Sequence, residues 1–265
     1  MVRADFPQVH LIANTENRGF GPANNQGIDI ATRPFVLLLN SDAYTTPGAI
    51  ENLLEPFKDE SVIACGGRLL HPTGELQESC CNELTLWAVF CEQLYLEKLF
   101  PSSKLLSPYW MSSRIVSEGI QPAEVEQVMG ACLMFRPVER FDERFFLYCE
   151  DTELCHRLRK HGRILYVPQA TFYHELGASS KKRWEAIARY NRGKELFFLL
   201  HYGRLKSALC FIYDRKGALL RLLAWFIACV LTLGLRESFR QQVAIFARVL
   251  ACRVKGPRKP VHMTT

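Results

Sequence analysis

Apolar positions in the first two thirds of the chain come in short runs, separated by polar breaks marked with Gly, Pro and Asn. Residues 9–12 (VHLI) read as a short strand, and residues 35–39 (FVLLL) as a second. Between them lies an Asn/Gly-rich stretch, NTENRGFGPANNQGIDIA. A continuous apolar run such as FVLLL suits a strand of a parallel sheet covered on both faces. Thr46-Pro47-Gly48 predicts a helix start, with Thr46 as N-cap and Pro47 at the first helical position. Ile50, Leu53, Leu54 and Phe57 then recur at helical spacing. Residues 62–65 read as a strand, 71–74 (HPTG) as a turn and 128–135 (VMGACLMF) as another strand. The run EDTELCHRLRKHG carries one apolar face through Leu154 and Leu158, with Gly162 placed as a C-terminal glycine. Residues 164–168 and 170–174 are strand-like. Strands alternating with helices predict an α/β fold.

Two segments break this rhythm. Residues 80–125 hold three prolines and several aromatics with weak periodicity, and read as an insertion more than framework. After residue 200 the character changes again. Residues 184–202 predict a helix, and residues 218–235 are 18 residues in which Arg221 is the only charge. That length lies at the lower limit for spanning a bilayer, about 17–25 residues. Beyond it, Phe239, Val243, Phe246 and Leu250 alternate with Arg240, Arg248 and Arg253, the pattern of a basic amphipathic helix. The domain division is therefore 1–200 for the α/β body and 201–265 for a helical tail.

Charge sharpens that division. Residues 203–265 carry twelve Lys/Arg against two acids, so the tail is +10; a whole-chain charge of +6 leaves −4 for the rest. A basic, apolar tail predicts attachment to an anionic membrane surface, with residues 218–235 across it or in its interface; the alternative is a buried hairpin of helices packed on the domain. Nucleic acid fits less well, because the apolar segment is so long. Hydrophobic residues at 48% exclude a disordered chain. Ten cysteines without a CxxC pair, several inside apolar runs, predict small buried hydrophobes in a reducing, cytoplasmic setting rather than disulfides. No signal-peptide pattern opens the sequence.

Three polar clusters stand at predicted strand ends: Asn40-Ser41-Asp42, Glu150-Asp151, and His174. Each has an ordinary explanation. Asp42 suits a turn, Glu150 and Asp151 suit a helix N-terminus, and a lone histidine is commonly just satisfied. Together they carry more, because strand ends of an open α/β sheet gather on one edge where ligands bind. An Asp and a His there can hold Mn²⁺ or Mg²⁺, and a further carboxylate can act as a base.

The blocks NRGFGPANNQGI, LLLNSDA, VMGACLMFR, FDERFFLYCEDTELCHRLRKHG and YVPQATFYHELGASS, in that order, resemble family 2 glycosyltransferases, particularly the rhamnosyltransferase-like group with the GT-A fold. The likeness spans roughly residues 9–200. It implies a mostly parallel GT-A sheet with flanking helices and an inverting, metal-dependent transfer from a nucleotide-diphosphate sugar. The acceptor would be a saccharide or a polyprenyl-linked saccharide, in cell-surface polysaccharide synthesis on the cytosolic face of a membrane. By the same resemblance Asn40 and Asp42 stand at the metal motif that holds the donor, and His174 completes the metal site. Asn17 contacts the nucleotide, and Gly19 and Gly21 let the backbone approach it. Asp151 is the catalytic base with Glu150 beside it, and Ser179, Ser180 and Lys181 lie over the diphosphate. The family's opening strand–helix–strand unit, which holds base and ribose, has no counterpart ahead of the NRGF block. The expectation is an exposed sheet edge there, and either a start placed too late or a truncated, non-catalytic remnant or partner subunit.

Overall fold

The computed structural model describes residues 1–119, 121–175 and 182–252. Its strands are β1 (Val36–Leu39), β2 (Ala43–Thr45), β3 (Val62–Leu70), β4 (Leu76–Gln77), β5 (Cys80–Cys81), β6 (Ala123–Val125), β7 (Gln127–Val128), β8 (Cys132–Phe135) and β9 (Arg163–His174). Its helices are α1 (Val2–Asp5), α2 (Phe20–Ile30), α3 (Ala49–Leu54), α4 (Leu86–Gln93), α5 (Leu96–Leu99), α6 (Ser112–Glu118), α7 (Glu150–Leu158), α8 (Arg183–Leu231) and α9 (Glu237–Ala251). Seven strands form one sheet in the order β1-β8-β3-β9-β2, with β4 added to β3 and β6 to β9; β5 and β7 pair separately. This mixed α/β architecture, a large sheet flanked by helices, fits a GT-A type.

The expected mostly parallel sheet is not what forms. Among the described strands only β3 and β9 pair in parallel, whereas β8 is antiparallel to both β1 and β3, and β2, β4 and β6 are antiparallel to their partners. β1, β3 and β9 do run the same way; β8 is inserted between the first two from the opposite end. The chain leaves β3, makes its excursion through residues 71–131 and re-enters at the end where it left, so no crossover restores its direction.

The apolar runs are explained by burial on both faces. Ala64, Leu133, Phe135, Ile164 and Tyr166 face Ile28 of α2 and Leu154 and Leu158 of α7. Their strand neighbours Cys65, Met134, Val167 and Phe172 face Leu53 of α3 and Phe57. Successive residues point to opposite faces, and here both faces are covered. Eight of the cysteines are buried, none of the ten is disulfide-bonded, and burial raises thiols such as Cys65 and Cys132 to about 12. They pack as small hydrophobes.

Several local expectations change. Residues 9–12 form no strand: they lie exposed without a sheet partner, and the Val9 N–H is taken by the Phe6 carbonyl in a turn instead. Thr46 does not cap α3; its hydroxyl donates to the Thr171 carbonyl at 2.8 Å, and left-handed Gly48 (φ 78°) takes the cap position. Residues 128–135 split into β7 and β8 around Gly130. Residues 164–174 are one strand, β9, whose register against β3 slips between Val167 and Thr171, where Pro168 has no N–H for the ladder. Gly162 is not a left-handed cap; a Cβ there would lie 2.4 Å from the Ser61 carbonyl oxygen, so close packing is what requires glycine.

The tail is joined to the body rather than separate from it. α8 breaks at Gly203 (φ 83°, ψ 177°), and its two halves are tied by Lys194, whose buried ammonium lies 2.8 Å from Asp214 and 2.9 Å from Glu92 on α4. Arg221 donates to Glu92 and Gln93 carbonyls at the end of α4. The tail thus packs on the 80–125 insertion. No helix among the described residues is long and apolar enough to cross a membrane.

Candidate active site

β1 ends in Asn40, whose N–H donates to the Ala131 carbonyl just before β8 begins. The next turn carries Asp42 into β2, and β2 pairs with the last residues of β9 so that Ala43 faces His174. The sheet itself therefore delivers Asn40, Asp42 and His174 to one place. His174 Nε2 lies 3.2 Å from Asn40 Nδ2 and 3.4 Å from Asp42 Oδ1.

His174 is oriented from behind. It is buried, and its Nδ1 meets Gln77 Oε1 at 3.0 Å while Gln77 Nε2 donates to the His174 carbonyl. Because Gln77 presents its oxygen, Nδ1 must carry the proton, which leaves the Nε2 lone pair facing Asn40 and Asp42. Burial lowers the imidazole's proton affinity, with Asp42 acting against that shift. A neutral imidazole lone pair beside a carboxylate is a donor pair that suits a cation. Among the described residues no group of three or more His, Cys, Asp or Glu could hold a metal by itself. Two protein donors fit an ion that takes its remaining ligands from phosphate oxygens and water, the habit of Mg²⁺ and Mn²⁺.

Asp151 lies in the first turn of α7, behind left-handed Cys149 (φ 66°). Its Oδ2 accepts from the Gly130 N–H at 3.0 Å and its Oδ1 from the Thr152 N–H at 2.8 Å. Gly130 belongs to the same turn as Ala131, which holds Asn40, so base candidate and metal candidate are coupled through two adjacent residues. Burial raises the Asp151 carboxyl above the usual range, and these amides oppose the rise. Glu150 is buried further, and one of its carboxyl oxygens has no partner. Burial, then the neighbouring Asp151, pushes it up to about 8, so near neutrality Glu150 holds a proton.

The NRGF block is placed beside this edge for a different reason from the one expected. Asn17 Oδ1 accepts from the Gly19 N–H at 3.0 Å, and Gly19 (φ 95°) starts α2. A Cβ on Gly19 would lie 2.5 Å from the Phe146 carbonyl oxygen, and one on Gly21 would lie 2.9 Å from Phe141 Cβ. The close approach these glycines permit is to residues 141–146 of the same chain. A Cβ on Gly130 would in turn meet the Phe20 ring at 3.2 Å, which puts α2's first residue next to the Asp151 turn. Asn25 fastens α2 by donating to the Phe141 carbonyl and accepting its N–H. Ser179, Ser180 and Lys181 lie outside the described residues.

The arrangement was partly visible beforehand. Asp42 and His174 are brought together, and Asp151 joins them through the Gly130–Ala131 turn. Gln77 and Gly130 were missed. A glycine inside an apolar run signals a bulge or close approach, so Gly130 could have been found; nothing in the pattern marks Gln77.

Residues 2–114 match the profile described as glycosyl transferase family 2. Relatives agree with that match. N-acetylglucosaminyl-diphospho-decaprenol L-rhamnosyltransferase from Mycobacterium tuberculosis (strain H37Rv) is 26% identical over 217 residues, covering 72% of this chain and 67% of the relative. These matches support a family 2 glycosyltransferase reading of the chain. Its likeness is to the rhamnosyltransferase-like group, since the protein of the same name from strain CDC 1551 matches to the same extent. The low-salt glycan biosynthesis hexosyltransferase Agl10 of Haloferax volcanii is 26% identical over 162 residues, covering 57% of this chain and 47% of the relative. The profile match takes in the family 2 glycosyltransferase blocks holding Asn17 and Asp42 and stops before those holding Asp151 and His174.

Proposed function

We propose that this chain moves a sugar, with rhamnose the first candidate, from a nucleotide-diphosphate donor to a saccharide or lipid-linked acceptor, with inversion and with help from Mn²⁺ or Mg²⁺. The observation that carries the proposal is the convergence at one sheet edge of an Asp–His pair and a half-buried, hydrogen-bonded carboxylate at the start of a helix. The M. tuberculosis relatives, by name L-rhamnosyltransferases acting on N-acetylglucosaminyl-diphospho-decaprenol, support the sugar and acceptor classes. The setting is cell-surface polysaccharide synthesis, with the chain peripheral on the cytosolic face of a membrane and its basic tail toward anionic lipid.

Asp42 and His174 would hold the divalent ion, with Asn40 between them and the donor. When bound, the ion offsets the negative charge that develops on a departing nucleoside diphosphate. Asp151 takes the proton of the acceptor hydroxyl as its oxygen forms the bond to the anomeric carbon. The Gly130 and Thr152 amides hold that carboxylate in one orientation and favour its charged form against burial. Glu150, neutral, keeps a second negative charge out of the site. Asn17, in the loop before α2, contacts the nucleotide.

Stereochemistry tests the reading. With a panel of nucleoside-diphosphate hexoses that includes rhamnose, proton NMR should show the product linkage with the configuration opposite to the donor's, and chelation should stop its formation. A product that keeps the donor's configuration would rule out single displacement.

A further inference from the structure

The amphipathic helix expected to lie on a membrane is α9, yet its apolar face is already taken. Phe246 and Val249 are buried against Ala218, Trp184 and Ile187, and the Phe239 ring sits 5.2 Å from Trp225. What α9 leaves exposed is charged, polar or small, such as Glu237, Arg240, Gln241, Ala244 and Arg248, with Arg236 exposed at its N-cap. The uncovered apolar surface is on its hairpin partner. Phe226, Ile227, Val230 and Leu231 of α8 are more than half exposed, and Leu233 and Leu235 in the following turn are 84% and 82% exposed. From residue 222 to 235 no charged side chain interrupts this surface.

We propose that the α8–α9 hairpin tip is a monotopic anchor: the end of α8 and its turn enter one leaflet of an anionic bilayer while α9 stays above it. The tip is built rather than frayed. The Gly234 N–H donates to the Cys229 carbonyl at 2.8 Å, and Arg240 closes the turn by donating to the Gly234 carbonyl. At the other end Arg215 donates to the Val249, Leu250 and Cys252 carbonyls, and Lys194 locks α8 to α4. The hairpin is therefore a stiff arm whose base rests on the body. Arg236 and Arg240, exposed directly behind the apolar tip, stand where phosphate headgroups would lie, and Lys206 and Lys216 add to the same basic element. A second copy of the chain is the other natural cover for an apolar face. It would bring one +10 tail against another, whereas an anionic leaflet is complementary. Spanning is not required, and no described helix could do it.

The inference rests on the reading that the chain works at a membrane surface, and flotation separates the two. The full chain should float with phosphatidylcholine vesicles containing phosphatidylglycerol and at least tenfold less with phosphatidylcholine alone. The double variant Phe226→Asp, Ile227→Asp should lose flotation by tenfold or more with an unchanged circular dichroism spectrum, and Leu233→Asp by a smaller factor. Asp42→Ala should float like the wild type, keeping anchoring apart from chemistry. No flotation of the wild type overturns the membrane reading itself. Flotation that survives the double variant overturns the tip and returns the contact to α9 or the basic end. Wild-type dimers by light scattering that the double variant abolishes, without flotation, assign the face to a second copy.

Discussion

His174 shows how one side chain acquires a chemical role from its neighbours. Alone it is a buried histidine closing a strand; Gln77 behind it fixes the protonated nitrogen, and Asp42 in front gives the free lone pair a partner for a cation. Gln77 is a positioning residue. Gln77→Leu should weaken Mn²⁺ binding by about 10–100-fold, as loss of an outer-shell partner does, measured by titration with donor present. An unchanged affinity would mean that the imidazole needs no such support. The carboxylates give a second test. Glu150→Gln mimics the protonated acid and should keep turnover near neutral pH, whereas wild type and variant diverge above about 8. The sign for stability follows. Glu150 is raised in the folded state from 4.5 to about 8, so its contribution is full below about 4.5 and is lost as pH rises through about 8. The melting temperature of the wild type should therefore fall across that window relative to Glu150→Gln. A parallel pair of curves would contradict the buried neutral acid.

Elements place these residues, and two junctions matter most. At the start of α2, Gly19 combines a left-handed backbone with contact to the Phe146 carbonyl. Gly19→Ala should cost about 2 kcal/mol or more, from the left-handed penalty plus overpacking, seen as a lower denaturation midpoint. Gly27→Ala on the same helix meets nothing within 4 Å and serves as the control. At the α8–α4 junction, Lys194→Met would leave Asp214 and Glu92 without their buried cation, a change that typically costs about 3–5 kcal/mol. If the midpoint held, the tail would not depend on that lock. Legibility divided along similar lines. FVLLL and the 62–65 run were readable because both faces of a strand are buried, and α7 because Leu154 and Leu158 share a face. The strand direction of β8 was not, since it depends on where a 60-residue excursion returns. α2 was hidden by asparagines and glycines whose roles, such as Asn25 on Phe141, are tertiary. The Asp42–His174 meeting was readable as strand ends on one edge; Gln77 was not, because it belongs to a two-residue strand with no pattern of its own.

At the scale of the whole molecule, one sheet edge carries the proposed site, and a helical arm rests on α4 within residues 80–125. A cavity of about 670 Å³ lies in that arm between α8 and the end of α9, away from Asp42. The proposed site sits at a sheet edge, where donor and acceptor would cover it between them. The most direct test of the central claim is nucleoside-diphosphate release across the hexose donor panel, comparing wild type with Asp151→Asn in Mn²⁺. The account predicts turnover of one donor by the wild type and a loss of about 10²–10⁴-fold in the variant, the usual worth of a general base, with the melting temperature unchanged. Turnover that persists in Asp151→Asn would remove the base from the site, and a wild type that turns over no donor would contradict the enzyme and favour a non-catalytic partner.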